Sequence, residues 1–265
     1  MTTESTPATM RYDSAPDRRR SILDAVEEAG FVSVTELVRR LGVSDMTVRR
    51  DLRKLAESGG VRIVHGGVSA LRPALHSPEF TGRADENADA KRAIGEAAVR
   101  DLPASGTVAV DAGTTTYAAV QALADDFRGT LVTHSVPVMQ LALTRDLGRV
   151  VGLGGELLAE SQAFIGPRTV EATAGLRVGT LLLGAAAADE RGIYVSTDNE
   201  RPTKLALMDI AEQVVLLVDA TKFSAPAPVL LCGWDRITEV VTDATPPPAL
   251  AKRLEAAGAR VRLTR

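Results

Sequence analysis

The feature that most restricts this 265-residue chain is a series of short, almost uninterrupted apolar runs, each divided from the next by a stretch of helical period. TVAVDA (107–112), TLVTHS (130–135), RVVGLGG (149–155), VGTLLLG (178–184) and QVVLLVDA (213–220) are short for buried helices and apolar at both parities. EVVTDA (239–244) and RVRLT (260–264) continue the set. Helical spacing fills 91–102, 116–125, 136–144, 202–211 and 247–257. A strand that is apolar on both faces has to be covered on both faces. The pattern therefore predicts an α/β domain over 88–265, built on an open, mostly parallel sheet with helices on each side.

The N-terminal part has a different texture. Residues 1–16 are rich in Ser, Thr, Pro and Ala without period, and are expected to be a disordered tail. From 17 the sequence reads as a helix with Ile22, Leu23 and Val26 inside and Gly30 as its stop. Ser33-Val34-Thr35-Glu36 has the form of a capping box and opens a second helix carrying Leu37, Val38 and Leu41. Gly42-Val43-Ser44 makes a turn, with Ser44 as N-cap of a third helix. In that helix Val48, Leu52 and Leu55 share one side, while Met46, Arg50 and Arg53, flanked by Thr47 and Lys54, occupy the other. VRIV (61–64), a turn at His65-Gly66-Gly67 and a second short strand suggest a β-hairpin. Three helices and a hairpin over 17–70 form a winged helix-turn-helix, and 71–87, which holds Pro73 and Pro78 and lacks a period, is the expected linker.

Charge supports that division. The chain carries 31 basic and 34 acidic residues, a net −3. Residues 39–62 hold seven basic side chains against three acidic ones, so a locally basic head sits on an acidic remainder. A basic helical face on its own is equally a solvated surface; its place after a capping box and a tight Gly turn makes it a DNA reader. No apolar run is long enough to span a bilayer and no signal-peptide pattern opens the chain, so no membrane partner is expected and a cytoplasmic location is. With Cys232 the only cysteine, an intrachain disulfide and a cysteine-based zinc site are excluded.

In open α/β sheets ligands sit beyond the carboxyl ends of strands. Asp111-Ala112-Gly113-Thr114-Thr115-Thr116 follows the first run and leads into a helix, a combination that suits an anion but also serves as an ordinary N-cap. Thr133-His134-Ser135 and Gly154-Gly155 end two further runs, and Asp219-Ala220-Thr221-Lys222-Phe223 brings a cation to the same rim. Glu200 and Lys204 are spaced as a helical pair. G-x-x-x-x-G-K-[ST] is absent, as is G-x-G-x-x-G after a strand, so neither a P-loop nucleotide nor a dinucleotide is expected, nor any other cofactor.

Two sets of motifs carry a family resemblance. S-x-MTVRRDL-x-KL followed by R-x-VHGGV, from about 18 to 68, resembles the N-terminal signature of the DeoR family of bacterial sugar-metabolism regulators. D-x-GTT at 111–115, T-x-S at 133–135, GG at 154–155, E-x-x-x-K at Glu200 and Lys204, and D-x-[ST]-KF at 219–223 resemble its effector domain. The resemblance implies a fold similar to ribose-5-phosphate isomerase and a function as transcriptional regulator, by family habit a repressor, rather than an enzyme. It implies operator DNA as one partner and a phosphorylated sugar or related metabolite as the other; because a single helix-turn-helix seldom suffices, a homo-oligomer (dimer or tetramer), associated with the nucleoid when bound to DNA, is expected. Ser44, Met46, Thr47, Arg49, Arg50, Arg53, Lys54, Arg62 and His65 are then the expected DNA-binding residues. Asp111, Gly113, Thr114, Thr115, Thr116, His134, Ser135, Gly154, Gly155, Glu200, Lys204 and Lys222 are the expected effector residues. His134 stands where the family commonly has Asn, and the alanine run 185–188 before Asp189 replaces a more polar stretch. Alanine transfers no proton, which removes a general base from an isomerase reading and leaves Asp189 and Glu190 as the carboxylates there.

Overall fold

The computed structural model describes residues 14–29, 31–57, 61–64, 66–70 and 78–264. They fall into two compact units, Met1–Leu75 and His76–Arg265. Residues 1–13 of the expected 1–16 tail, Gly30, His65, and residues 71–77 of the expected linker lie outside the described residues.

The first unit runs α1 (Ala15–Ala29), β1 (Phe31–Ser33), α2 (Val34–Leu41), α3 (Asp45–Glu57), β2 (Val61–Val64) and β3 (Gly67–Ala70). α1 starts two residues before the expected 17, because Ser14 caps it: its hydroxyl oxygen accepts from Asp17 N at 3.3 Å. Ser33 caps α2 in the same way, accepting from Glu36 N at 3.1 Å. Gly42 ends α2 in the left-handed region, at φ 65°, where a side chain is disfavoured. The wing is a three-stranded antiparallel sheet of order β1-β3-β2 rather than a two-stranded hairpin. β1 is only three residues long, too short to show a period. Ile22, Val26, Leu37, Leu41, Val48, Leu52 and Leu55 fill the core of this unit.

The second unit runs α4 (Pro78–Asp85), α5 (Ala88–Val99), β4 (Thr107–Val110), α6 (Thr114–Gln121), β5 (Thr130–Thr133), α7 (Val136–Thr144), β6 (Arg149–Gly152), β7 (Glu156–Leu158), β8 (Ala163–Ile165), α8 (Pro167–Glu171), β9 (Val178–Gly184), β10 (Ala187–Asp189), β11 (Gly192–Val195), α9 (Arg201–Asp209), β12 (Ala211–Leu217), β13 (Val229–Cys232), β14 (Glu239–Thr242), α10 (Pro248–Ala256) and β15 (Arg260–Leu263). The main sheet has order β15-β14-β12-β9-β4-β5-β6 and every pairing in it is parallel.

Adjacent residues of its strands enter different cores, as strands buried on both faces require. Val108, Val110, Leu182, Val215, Leu217 and Val241 pack with α5, α6 and α7. Ala109, Leu181, Leu183, Val214, Leu216 and Val240 pack with α9, α10 and a small antiparallel sheet of order β10-β11-β13.

Helix α4 occupies the second half of the expected linker. Its Phe80 is 1% exposed and meets Tyr117 of α6 edge-on, with ring centroids 5.6 Å apart. Pro78 is tolerated because it stands at the first helical position, where its missing N–H has no intrahelical acceptor.

The chain connects β4 to β5 in one direction along the sheet, and β9 lies on β4's other side. This reversal of strand order opens a crevice at the carboxyl ends of β4 and β9.

Candidate functional site

Two surfaces carry the polar chemistry. In the first unit, α3 buries Val48, Leu52 and Leu55 and turns its other side outward. Ser44 caps it, accepting from Thr47 N at 3.3 Å, and its hydroxyl lies 2.9 Å from the Thr47 hydroxyl. Met46 is 72% exposed beside these polar groups. Arg50, Arg53 and Lys54 are exposed, and among the described residues no carboxylate pairs with them. Arg49 differs, because its Nε donates to Asp45 at 2.6 Å. Arg62 lies exposed on β2 of the wing.

Asp51 is the acidic exception on α3. It is 4% exposed and accepts from Arg18 Nε of α1 at 2.5 Å, which fixes α3 to the first helix and cancels the one buried negative charge on α3. Sequence spacing gives no sign of this pair, since the partners lie 33 residues apart.

In the second unit, a cleft of about 320 Å³ sits at the β4–β9 crevice. Gly113, Thr114 and Thr115 line it from the start of α6, Glu200 and Lys204 from the start of α9, and Lys222 from the 3₁₀ turn after β12. Three charged residues absent from the sequence-derived set line it as well: Arg83 from α4, Glu86 from the turn after it and Lys91 from α5. The first-turn N–H groups of α6 have no intrahelical acceptor, because the helix's first internal bond runs from Tyr117 N to Gly113 O.

Asp111 lies under this loop rather than in the cleft, with no exposure. It accepts from Gly184 N at 2.9 Å, which ties the end of β4 to the end of β9, and it pairs with the Lys204 ammonium. Burial alone would raise its pKa, but the Lys204 charge and then the His134 contact outweigh that and hold it at about 2. The positive charge of Lys204 is thus spent on Asp111. Lys91 is also 5% exposed, and its ammonium donates to the carbonyls of Arg83 and Glu86; burial lowers its pKa. Arg83 and Lys222 remain as cations that no carboxylate neutralises among the described residues.

Besides Asp111, five of the expected effector residues are not brought to the cleft, and each is used inside the fold. The Thr116 hydroxyl donates to the carbonyls of Asp111 and Gly113, at 2.7 and 2.9 Å. Ser135 caps α7, accepting from Val138 N at 3.4 Å. His134 Nδ1 lies 2.8 Å from Phe164 O, and Nε2 lies 3.1 Å from both Ala112 N and Asp111 Oδ1, so the ring braces the Asp111 loop from behind. Gly154 O accepts from the Thr169 hydroxyl at 3.0 Å, and a side chain at Gly155 would run into that same hydroxyl. Asp189 is no free base either: its carboxylate accepts from Arg191 N at 2.7 Å and from the Tyr194 hydroxyl, closing the β10–β11 turn. Ala185 and Ala186 line the cleft, with no polar side-chain atom on that side to offer a ligand.

A winged helix-turn-helix with an exposed cationic face, followed by an α/β domain with a cationic crevice, defines a DNA-binding transcriptional regulator with a sensor domain. Residues 18–74 match the DeoR-like helix-turn-helix domain and residues 86–244 match the DeoR C terminal sensor domain. The chain belongs to the DeoR family and is a regulator, not an enzyme. It is 30% identical to the glycerol-3-phosphate regulon repressor of Escherichia coli, over 87% of this chain and 91% of that one. It is also 30% identical to the E. coli HTH-type transcriptional repressor CsqR, over 90% and 91%. Ribose 5 phosphate isomerase A of Neisseria gonorrhoeae shows a slighter likeness, with 17% identity and a TM-score of 0.38 over 50% of this chain and 52% of that one. No helix among the described residues is long and apolar enough to cross a membrane.

Proposed function

We propose that this protein represses genes of carbohydrate metabolism and leaves its operator when a phosphorylated sugar or related metabolite occupies the β4–β9 cleft. The observation that carries this reading is the convergence on one cleft of the free N–H groups of α6 with Lys222 and Arg83, while the nearby Asp111 charge is cancelled by Lys204. That is a site for an anion. Glu200, Ser196 and Thr114 line the same space and offer partners for sugar hydroxyls. The names of relatives, a glycerol-3-phosphate regulon repressor among them, support the same class of ligand.

On DNA, Met46, Thr47, Arg50 and Arg53 face base edges and neighbouring backbone, while Ser44, Arg49, Lys54 and Arg62 position phosphates. A single head contacts few base pairs, so the protein works as a homo-oligomer on repeated half-sites, in the cytoplasm and on the nucleoid. Release requires the effector to bind the DNA-incompetent arrangement more tightly than the DNA-bound one.

The test is a mobility-shift assay on DNA upstream of the protein's own and adjacent genes, with ribose 5-phosphate, fructose 6-phosphate and glycerol 3-phosphate added in turn. Loss of the shifted band with one of them supports the reading. A band that none of a broad set of phosphorylated sugars and polyols displaces overturns it.

A further inference from the structure

Arg83 lies before the span that matches the sensor domain, in a stretch whose sequence reads as linker, yet its side chain lines the cleft. It stands on α4, the first described element after residues 71–77, which lead from the DNA-binding head. Three interactions hold α4 on the sensor domain. Phe80 packs on Tyr117, the Lys91 ammonium draws in the carbonyls of Arg83 and Glu86 at the end of α4, and Arg83 Nη2 donates to Glu160 O at 3.0 Å. The second and third depend on cations that also face the cleft. Among the described residues no carboxylate forms an ion pair with either one, so an arriving anion competes with neutral carbonyls for them. A charge-assisted bond to the anion is the stronger of the two.

We infer that Arg83 is both an anion ligand of the cleft and the residue that passes its occupancy to the DNA-binding head. Bound anion draws the guanidinium from Glu160 O, loosens the Lys91 hold on the end of α4, and shifts the helix from which the chain runs back to the head. The inference rests on the effector reading above. It differs in what it assigns to Arg83: Lys222 contributes affinity alone, whereas Arg83 contributes affinity and coupling.

The experiment compares full-length wild type, Arg83→Gln, Arg83→Lys and Lys222→Gln. Binding of the sugar phosphate that displaces operator from wild type is measured by calorimetry, and operator affinity is measured without it and at saturation for each variant. Lys222→Gln is expected to need about ten-fold more ligand but to lose operator affinity at saturation by the wild-type factor, of the order of 10-fold or more. Arg83→Gln is expected to bind the ligand more weakly and, once saturated, to keep its operator affinity within about two-fold of the ligand-free value. Arg83→Lys is expected to recover part of the affinity and little of the coupling, since lysine lacks the planar fork.

Full release of saturated Arg83→Gln would overturn the inference while leaving the effector reading intact. Absence of ligand binding to wild type would overturn both. Hydrogen exchange on wild type supplies a readout that needs no variant: amides of 78–85 are expected to exchange faster with ligand, and unchanged exchange during operator release would also overturn the coupling role.

Discussion

Asp111 and Lys204 form an ion pair closed to water: the carboxylate has no exposure and the lysine side chain 6%, although 93 residues separate them. The pair joins the end of β4 to α9 beneath the cleft. Because the folded pKa of Asp111 is held at about 2 against an ordinary 3.8, its contribution to stability is complete above about pH 4 and is lost as pH falls toward 2. The magnitude is about 2 kcal/mol. Asp111→Asn should therefore lower stability at pH 7 by about 2–4 kcal/mol. In urea titrations its deficit against wild type should narrow between pH 4 and pH 2; a deficit independent of pH would contradict the assignment.

The exposed side of α3 makes a separable prediction. Arg50→Ala should lower operator affinity by about 1–3 kcal/mol and relax sequence preference, because a base contact is lost. Lys54→Ala should weaken operator and unrelated DNA alike and reduce the slope of log affinity on log salt by about one. Circular dichroism should show both heads folded. Equal losses on all DNA for Arg50→Ala would place that residue on phosphate instead.

Arg18 and Asp51 are expected to matter through the fold of the head. Either residue changed to Ala strands a charge that is largely buried, at a cost of about 3 kcal/mol. Exchanging them, Arg18→Asp with Asp51→Arg, should recover part of that loss in thermal unfolding. A surface role for Asp51 would instead leave stability unmoved in all three variants.

Gly42 holds the turn between α2 and α3 at φ 65° with its N–H bonded to Val38 O. Gly42→Ala should cost the head about 1 kcal/mol, since alanine occupies that region poorly. Operator contacts should be retained at low temperature, which separates this effect from loss of a DNA ligand.

Most of the scaffold was legible because its signals are local. The parallel strands announce themselves by being apolar at both parities, and β9 at Val178–Gly184 follows the apolar run residue for residue. Ser33, Gly42 and Ser44 mark helix ends by chemistry that acts within three or four residues. Where the sequence misled, the deciding partner was distant. Asp51 looks like a solvated helix charge until Arg18 is placed beside it. Helix α4 carries Pro, Gly and several charges, and its order comes from distant partners: Phe80 against Tyr117, Arg83 on Glu160 O and Lys91 on the carbonyls of Arg83 and Glu86.

The site shows the same division. A glycine–threonine turn after a strand marks the crevice, but not which hydroxyl faces it. Thr114 and Thr115 line the cleft while Thr116, one residue on, bonds back to the Asp111 and Gly113 carbonyls. His134 and Ser135 stand at a strand end, as the rule for open sheets suggests, yet their polar atoms bond to neighbouring loops and helices. The contribution of Arg83 and Lys91 depends on α4 folding back along the sensor domain, which periodicity does not encode.

The central claim, that an anion in the β4–β9 cleft controls DNA binding, is tested most directly by titrating an effective sugar phosphate against operator complexes of wild type and Lys222→Gln. The predicted result is an equal operator affinity without ligand and a concentration for half-release at least about ten-fold higher in the variant. Half-release at the same concentration in both proteins would contradict the claim.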